Sequence, residues 1–357
     1  MNILISYFMK NKIFSHLKQM EKLHKWELLK NKEKVLNGTI LSNLIQKKLY
    51  EKLSKINDLI ESNNLDVSPA KLKIILVGHK LDSKLYVENK IKKCRAIGMA
   101  SELKIFPETI KKEELLEEIE KSNSDKDVHG IIIQLPLPDN LVPNRTEILS
   151  KVNLDKDVDG LNPLNQGKIL QMNFCECLLP PTAMGVMELL RLAIDFNNDI
   201  DRYIKDYLDE NIFYDKPLDL SGMDVTVLGR GLTAGMPVSI LMQKCNGTVT
   251  TCHSKTLNIQ NKCENADILI SAVGKPNLVN KYYVKPDSIL IDVGINVEKT
   301  DNEKKIIKGD VDFDDVVEKV KYITPVPGGV GKMTVIMLLK NVLKAWSIIN
   351  KINLNKI

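Results

Sequence analysis

The sequence predicts an α/β protein with two domains. Its 357 residues are too many for one compact core of ordinary size. Short β-branched runs that end in glycine or proline alternate with segments of helical periodicity, which is typical of parallel sheets covered by helices. Between residues 224 and 256, a strand, a glycine-rich turn, a helix and a second strand follow one another directly.

The elements of the first domain follow from local patterns. A turn near Val35 precedes a segment of helical periodicity. Residues 71–77 form a strand that ends at Gly78, and residues 81–98 form a helix that its last glycine closes. Residues 131–138 form a strand of buried character that runs into prolines.

The second domain shows the same alternation. Residues 178–192 contain two prolines and then a long apolar helix, which marks the crossing between the domains. Two buried strands, in residues 266–274 and 288–294, each end in glycine. A proline and glycine loop at residues 322–334 precedes a helix from Val335 to Ile349.

These patterns set the domain boundaries. We expect an N-terminal extension at residues 1–34, a first domain at 35–179, and a second domain at 180–332, with the C-terminal helix of residues 333–357 returning to the first. The extension is rich in lysine and lacks arginine, so it is either an organellar presequence or a compositional bias. Residues 195–219 are expected to form a surface insertion.

Composition excludes several classes of protein. The chain is 43% hydrophobic and 27% charged, as in globular proteins, and no run approaches the about 18 apolar residues of a membrane span. The net charge of +5 arises from lysines scattered among acids, which predicts no nucleic-acid partner. The six cysteines and five histidines lack the spacing of a metal site or a disulfide framework.

Lys90 is the first candidate for chemistry. Helical periodicity places Ser83, Tyr86 and Lys90 on one face of the predicted helix, together with apolar residues. Lys90 would then lie inside the buried stripe. Burial disfavours the charged form of a lysine, and this can make it a proton-transfer group near neutral pH. A lysine at the edge of the stripe that extends to water is an equal alternative.

Polar residues also occur at a predicted strand end and in a nearby loop. Gln134 ends an apolar strand, at the edge of the sheet where α/β proteins bind ligands. A buried amide with a satisfied hydrogen bond is about as plausible. Asp157 and Asp159 lie in a turn-rich loop, which alone would be interpreted as a solvated turn.

The glycines of the central unit indicate a nucleotide site. Gly229, Gly231 and Gly235 directly follow a strand and open a helix, so the backbone could approach a pyrophosphate at the positive end of that helix. A tight packing turn is the alternative. The second strand ends without the acid that would hold the ribose of NAD, and Arg230, Ser254 and Lys255 suit a 2′-phosphate instead. We therefore expect NADP, unless the basic residues are merely solvated.

Taken together, these motifs resemble one family, the bifunctional methylenetetrahydrofolate dehydrogenase/methenyltetrahydrofolate cyclohydrolases, called FolD in bacteria. The combination and its order are specific, although each motif alone is not. The matching pieces extend from about residue 35 to the C-terminus and are residues 83–90, 129–138, 157–160, 229–230, 252–256, 291–296, 309–311, and 324–331 with 333–334.

The resemblance implies an N-terminal α/β folate-binding catalytic domain and a Rossmann-type NADP-binding domain, with the active-site cleft between them. It implies oxidation of 5,10-methylenetetrahydrofolate with NADP⁺ and hydrolysis of the methenyl product to 10-formyltetrahydrofolate. It also implies a cytoplasmic homodimer, or a mitochondrial or plastid protein if the extension is a presequence.

Roles for single residues also come from the resemblance. Lys90 would be the catalytic lysine, Gln134 the residue that orients it, Tyr86 a wall against the substrate, and Asp159 the anchor of the pterin. The remaining residues contact substrate (Ser83, Leu135, Pro327, Gly328 and Gly329) or cofactor (Gly229, Arg230, Gly231, Ser254 and Ile295).

The chain departs from the family pattern at a few positions. It has Gly231 where the family usually has serine, Ala183 in place of a proline, and Lys332 in place of another proline. Two alternatives therefore stand beside the bifunctional enzyme. One is a relative with dehydrogenase activity only, and the other is a folate-binding or NADP-binding protein that has lost catalysis.

Overall fold

Two parallel sheets organise the chain, and they confirm the α/β class. The computed structural model describes residues 32–171, 177–208, 218–299 and 305–357. Most of the expected extension, residues 1–31, and part of the expected insertion, residues 209–217, lie outside the described residues.

The first sheet has three parallel strands in the order β2-β1-β3. The strands are β1 (Lys71–Val77), β2 (Ala100–Phe106) and β3 (Gly130–Ile133). Strand β1 lies in the centre and is buried on both faces, which explains its unbroken apolar run. The helices of this half are α1 (Gly38–Glu61), α2 (Leu81–Ala96), α3 (Lys112–Ser124), α4 (Arg145–Ser150) and α5 (Pro163–Gln171).

The second sheet has five parallel strands in the order β10-β7-β6-β4-β5. Its strands are β4 (Asp224–Leu228), β5 (Thr248–Cys252), β6 (Ile268–Ser271), β7 (Ile289–Asp292) and β10 (Tyr322–Ile323). An antiparallel hairpin of β8 (Asn296–Lys299) and β9 (Lys305–Lys308) follows β7. The helices are α6 (Pro181–Ile194), α7 (Ile200–Tyr203), α8 (Gly235–Lys244), α9 (Ile259–Cys263) and α10 (Phe313–Val316).

The last helix, α11 (Val330–Ile349), joins distant parts of the chain. It begins five residues before the predicted start at Val335, because the glycines of the preceding loop enter its first turn. The Asn341 side chain donates hydrogen bonds to the carbonyls of Val158 and Leu179. The Trp346 indole donates to the Ser68 carbonyl, just before β1. The helix therefore fixes both the first sheet and the loop that contains Asp159.

The expected surface position of the 195–219 insertion is wrong for the apolar residues of its described parts, residues 195–208 and 218–219. Phe196, Tyr203 and Tyr207 are buried, and the rings of Phe196 and Tyr203 meet edge to face at 5.4 Å. Both tyrosine hydroxyls donate to the buried carboxylate of Glu188, at 2.8 Å and 3.3 Å. The apolar residues of this segment are separated by Asp, Asn and Lys, so its composition concealed a packed cluster.

Candidate active site

Lys90 and Gln134 meet at the carboxyl end of the first sheet. Lys90 lies in the third turn of α2, and Gln134 follows β3 directly. The Lys90 Nζ donates to the Gln134 Oε1 at 3.0 Å, and the Gln134 Nε2 donates to the Leu135 carbonyl at 2.8 Å. The amide is thus held by its nitrogen, and its oxygen is directed at the lysine.

The structure places Ser83, Tyr86 and Lys90 on one face of α2, and of the two alternatives for Lys90 it favours a lysine at the edge of the apolar stripe. Ser83 is 5% exposed, whereas Tyr86 is 44% exposed and Lys90 is half-buried. Lys90 lies at the edge of the apolar stripe because its long side chain extends to the polar end of β3. Partial burial, and then the nearby Asp82, raises the pKa of Tyr86, so this phenol remains neutral.

A cavity of about 380 Å³ opens next to α2, although Lys90 and Gln134 themselves are not among the residues that line it. Residues of α2, including Tyr86 and Asn89, line one side of the cavity. Residues 292–295 and the β8–β9 hairpin line the other side. Residues 325–329 close its floor, and Lys332, one of the departures from the family pattern, lies at its border. The cavity therefore lies between the two sheets, where the cleft was expected.

The two aspartates of the loop after β3 differ in environment. Asp157 is buried and accepts hydrogen bonds from the backbone of Leu161 and Asn162 and from the Asn165 side chain. Burial raises its pKa to about 6. Asp159 is half-buried, and the parallel bridge between Ile131 and Asp157 directs it toward the strand end that carries Gln134. Asp157 thus shapes the loop, and Asp159, which is half-buried, is not among the residues that line the cavity.

The proline and glycine loop is built by close backbone contacts. Gly328 has φ +114°, a left-handed conformation that favours glycine. The Thr39 amide at the start of α1 donates to the Gly328 carbonyl at 2.9 Å, and a Cβ on Gly38 would lie 2.2 Å from the Gly329 carbonyl oxygen. Pro327, Gly328 and Gly329 all line the cavity, at the positions that the resemblance implied.

Two of the three glycines after β4 are required by the backbone. A Cβ on Gly229 would lie 2.3 Å from the Ala272 carbonyl oxygen, and one on Gly235 would lie 2.3 Å from the Gly229 carbonyl oxygen. Gly231 has nothing within 4 Å of its Cβ position. The turn therefore has the close approach of a dinucleotide site, and position 231 has space for a larger side chain.

The basic residues expected at the cofactor site lie at one edge of the second sheet. Strands β4 and β5 are neighbours, and the Gly229 amide donates to the Cys252 carbonyl at 2.8 Å. Arg230 and Lys255 follow these two strand ends and are exposed. Neither forms an ion pair with a residue that the structure describes. Together with Ser254, they can hold a 2′-phosphate, and this fits NADP.

Sequence reasoning gave no role to two buried acids near Ile295. Asp292 ends β7 and lines the cavity, and Asp310 follows β9; both are buried. Burial raises the pKa of Asp292 to about 7. An aspartate at the end of an apolar strand, followed by glycine two residues later, was the signal that could have identified this site.

Some expected absences can be compared only with the described part of the chain. Across residues 32–171, 177–208, 218–299 and 305–357, no cluster of three or more His, Cys, Asp or Glu could hold a metal ion. No helix within those ranges is long and apolar enough to cross a membrane. Five cysteines are buried free thiols, and Cys175 lies outside the described residues.

Comparison with known families agrees with this geometry. The family model for the catalytic domain of tetrahydrofolate dehydrogenase/cyclohydrolase matches residues 36–159. The model for the NAD(P)-binding domain of the same family matches residues 211–350. Lys90 and Gln134 lie in the first match and the glycine turn lies in the second, just as they belong to different sheets of the structure.

Similar proteins cover most of the chain. The bifunctional protein FolD of Clostridium novyi is 39% identical over 86% of this chain and 96% of its own length. The mitochondrial C-1-tetrahydrofolate synthase of Schizosaccharomyces pombe is 37% identical over 88% of this chain and 29% of that longer protein. The crystal structure of Trypanosoma brucei FolD, complexed with NADP cofactor and inhibitor, has a TM-score of 0.76 and 33% identity, covering 88% of this chain and 97% of that one. The chain belongs to the tetrahydrofolate dehydrogenase/cyclohydrolase family.

Proposed function

We propose that this chain is a bifunctional enzyme of one-carbon folate metabolism. It oxidises 5,10-methylenetetrahydrofolate to the methenyl form with NADP⁺, and it hydrolyses that cation to 10-formyltetrahydrofolate. The observation that carries this proposal is the hydrogen bond between Lys90 and Gln134. Tyr86 and Asn89, on the same helix as Lys90, line a cavity that the nucleotide-binding half also lines. Hydride transfer alone requires no proton-transfer group, so a lysine held by a hydrogen bond at this position favours the bifunctional enzyme over a dehydrogenase-only relative.

NADP⁺ supplies the hydride acceptor. The protein contributes position, because hydride transfer requires no acid or base at the reacting carbon. Gly229 and Gly235 allow the backbone to approach the pyrophosphate, and Arg230, Ser254 and Lys255 hold the 2′-phosphate. Ile295, which lines the cavity, would contact the bound cofactor on the side of the folate site.

Hydrolysis requires proton transfer, and Lys90 provides it. Water adds to the carbon between N5 and N10 and loses one proton. The bond from that carbon to N5 then breaks as N5 gains a proton, and the added hydroxyl loses its remaining proton to solvent, so that a formyl group stays on N10 and one net proton is released. The Lys90 amine accepts the first proton and returns one to the leaving nitrogen. Gln134 holds the amine at the reacting carbon through the 3.0 Å hydrogen bond.

We assign substrate recognition to residues that line the cavity, Tyr86 and the loop of residues 327–329, and to three residues outside its lining, Asp159, Ser83 and Leu135. The Tyr86 ring forms a wall along the folate, and the Asp159 carboxylate accepts hydrogen bonds from the pterin. Pro327, Gly328 and Gly329 supply the opposite surface. Two further residues complete the substrate site on the first sheet side, Ser83 and Leu135.

One assay tests the proposal. Purified protein is given 5,10-methylenetetrahydrofolate with NADP⁺ or NAD⁺, and methenyl and 10-formyl products are followed separately. We expect turnover with NADP⁺ and accumulation of the 10-formyl product. Oxidation without any 10-formyl product above the uncatalysed rate would identify a dehydrogenase-only protein, and binding without turnover would identify a protein that has lost catalysis.

Assembly and location complete the proposal. We infer a homodimer that pairs through the nucleotide-binding half, because β5 is an edge strand of the five-stranded sheet. Sedimentation at several concentrations tests it, and a purely monomeric species contradicts it. We place the protein in the cytoplasm, with a mitochondrion or plastid as the alternative. Fluorescent fusions with and without residues 1–34 distinguish these locations.

A further inference from the structure

Asp292 and Asp310 form a buried pair of acids that the reaction scheme above does not use. They are 2% and 0% exposed. Asp292 lies at the end of β7, and Asp310 lies between β9 and α10. Burying carboxylates is costly, so a pair of them at the edge of a nucleotide-binding sheet requires an explanation beyond stability.

Asp310 holds two separate loops. Its Oδ2 accepts hydrogen bonds from the Ser271 hydroxyl at 3.0 Å and from the Val273 and Gly274 amides at 2.7 Å and 3.2 Å. Its Oδ1 accepts from the Lys275 amide and from the Asn296 side chain, both at 3.0 Å. One carboxylate thus connects the loop after β6 with the start of the β8–β9 hairpin.

Asp292 and two glycines complete the arrangement. Asp292 accepts from the amides of Gly294, Asp310 and Val311 at 2.9, 3.1 and 2.9 Å. A Cβ on Gly294 would lie 2.1 Å from the Asp310 Oδ1, and a Cβ on Gly309 would lie 1.9 Å from the Asp292 Oδ2. Gly294, two residues after Asp292, leaves room for the Asp310 carboxylate, and Gly309, just before Asp310, leaves room for the Asp292 carboxylate. The two segments therefore pack directly against each other.

One of the two held loops packs against the glycine turn, and the other begins at the wall of the cavity. The loop after β6 begins at Ala272, whose carbonyl oxygen is the atom that a Cβ on Gly229 would meet. The hairpin begins after Ile295, which lines the cavity beside the folate site. The spacing between the phosphate end and the reacting end of the cofactor therefore depends on Asp310.

We propose that Asp310, supported by Asp292, is a positioning residue for the oxidation step: it sets the distance between the glycine turn and the cavity. This inference rests on the proposed function, because it assigns the pair to NADP and to no other ligand. Hydrolysis of the methenyl substrate needs no hydride acceptor, so it does not depend on this spacing. That difference separates a positioning role from a general structural one.

The test compares Asp310→Asn with the unchanged enzyme in three measurements. An asparagine places an NH₂ group where backbone amides need an acceptor, so the loops move apart. We expect the KM for NADP⁺ to rise roughly 10- to 100-fold, with lowered kcat for oxidation. Direct NADP⁺ binding, measured by calorimetry, weakens to a similar extent. The hydrolysis rate on supplied methenyltetrahydrofolate falls far less, because Lys90 and Gln134 are held to each other within the first half of the chain.

Matched variants keep the test decisive. Asp314→Asn removes an exposed acid four residues away and is expected to change none of the three measurements. If Asp310→Asn fails to fold, Ser271→Ala removes one of the five hydrogen bonds and is expected to weaken NADP⁺ binding without loss of hydrolysis. Unchanged NADP⁺ binding in a folded variant overturns the inference. Failure of the unchanged enzyme to bind NADP⁺ overturns the proposed function instead.

Discussion

The Lys90 Nζ donates a 3.0 Å hydrogen bond to the Gln134 Oε1, and the other end of the same amide is anchored at the Leu135 carbonyl. The lysine comes from a helix and the glutamine from the end of a strand, so the bond joins two rigid elements. Sites built on such elements hold a reacting group more closely than sites built on loops.

The first prediction concerns Gln134. Gln134→Leu keeps the volume of the side chain but removes the acceptor, so the Lys90 amine loses its position at the reacting carbon. Hydrolysis of methenyltetrahydrofolate should fall roughly 10- to 100-fold, with a smaller effect on NADP⁺-dependent oxidation. Gln260→Leu, at an exposed position of α9, is the control. Equal loss of both activities would show that Gln134 supports the fold rather than the lysine.

The second prediction concerns the glycine turn. In Gly235→Ala the added methyl would lie 2.3 Å from the Gly229 carbonyl oxygen, so the turn must shift away from the pyrophosphate. The KM for NADP⁺ should rise roughly tenfold or more. Gly231→Ala is the matched control, because nothing lies within 4 Å of that position. Steady-state kinetics measure the KM for NADP⁺ of both variants. Equal KM values would show that the backbone at Gly235 does not approach the pyrophosphate closely.

The third prediction concerns the choice between NADP and NAD. Arg230→Gln and Lys255→Gln each remove a positive charge from the strand ends expected to face the 2′-phosphate. Each lost charged hydrogen bond is worth about 1.5–3 kcal/mol, so the KM for NADP⁺ should rise roughly 10- to 100-fold. The KM for NAD⁺ should not change, because NAD⁺ lacks that phosphate. A parallel rise for both cofactors would place these residues elsewhere on the nucleotide.

The fourth prediction concerns stability and pH. Burial, and then Lys156, lowers the pKa of His129 to about 4, and its Nδ1 accepts a hydrogen bond from the Lys71 amide. Because the folded pKa is below the unfolded value of about 6.5, the stabilisation is complete above pH 6.5 and is lost as the pH falls toward 4. Lowering the pH from 7 to 5 should therefore reduce the free energy of unfolding by about 2 kcal/mol through the protonation of this residue in the unfolded state.

Urea unfolding at both pH values measures that loss. His129→Gln retains an acceptor for the Lys71 amide but does not titrate, so its unfolding free energy should fall less between pH 7 and pH 5. The same fall in the variant and the unchanged protein would show that other groups produce the pH dependence.

Much of this site could be predicted from the sequence because its residues follow recognisable local elements. Helical periodicity placed Ser83, Tyr86 and Lys90 on one face, and the strand before Gln134 placed it at a ligand-binding edge. The glycines after β4 were interpretable because a strand and a helix flank them. The alternation of strand-like runs with helical segments was sufficient to predict the fold class.

The remainder depended on contacts between distant segments. The Lys90 side chain is long enough to leave the apolar stripe, so periodicity alone could not decide its burial. Asp292 had a local signal, the apolar strand before it and the glycine two residues later, whereas only its contacts with distant segments distinguish Asp310 from a solvated acid. The cluster of Phe196, Tyr203 and Tyr207 was hidden by the polar residues between them, since its packing depends on the α6 helix.

The most direct test of the account is methenyltetrahydrofolate hydrolysis by Lys90→Met, measured together with substrate binding. The thioether retains most of the lysine's length but cannot transfer a proton. We expect binding to persist and hydrolysis to fall to the uncatalysed rate, while Lys92→Met, on the exposed face of the same helix, stays active. Full hydrolysis by a Lys90→Met protein would contradict the proposed mechanism.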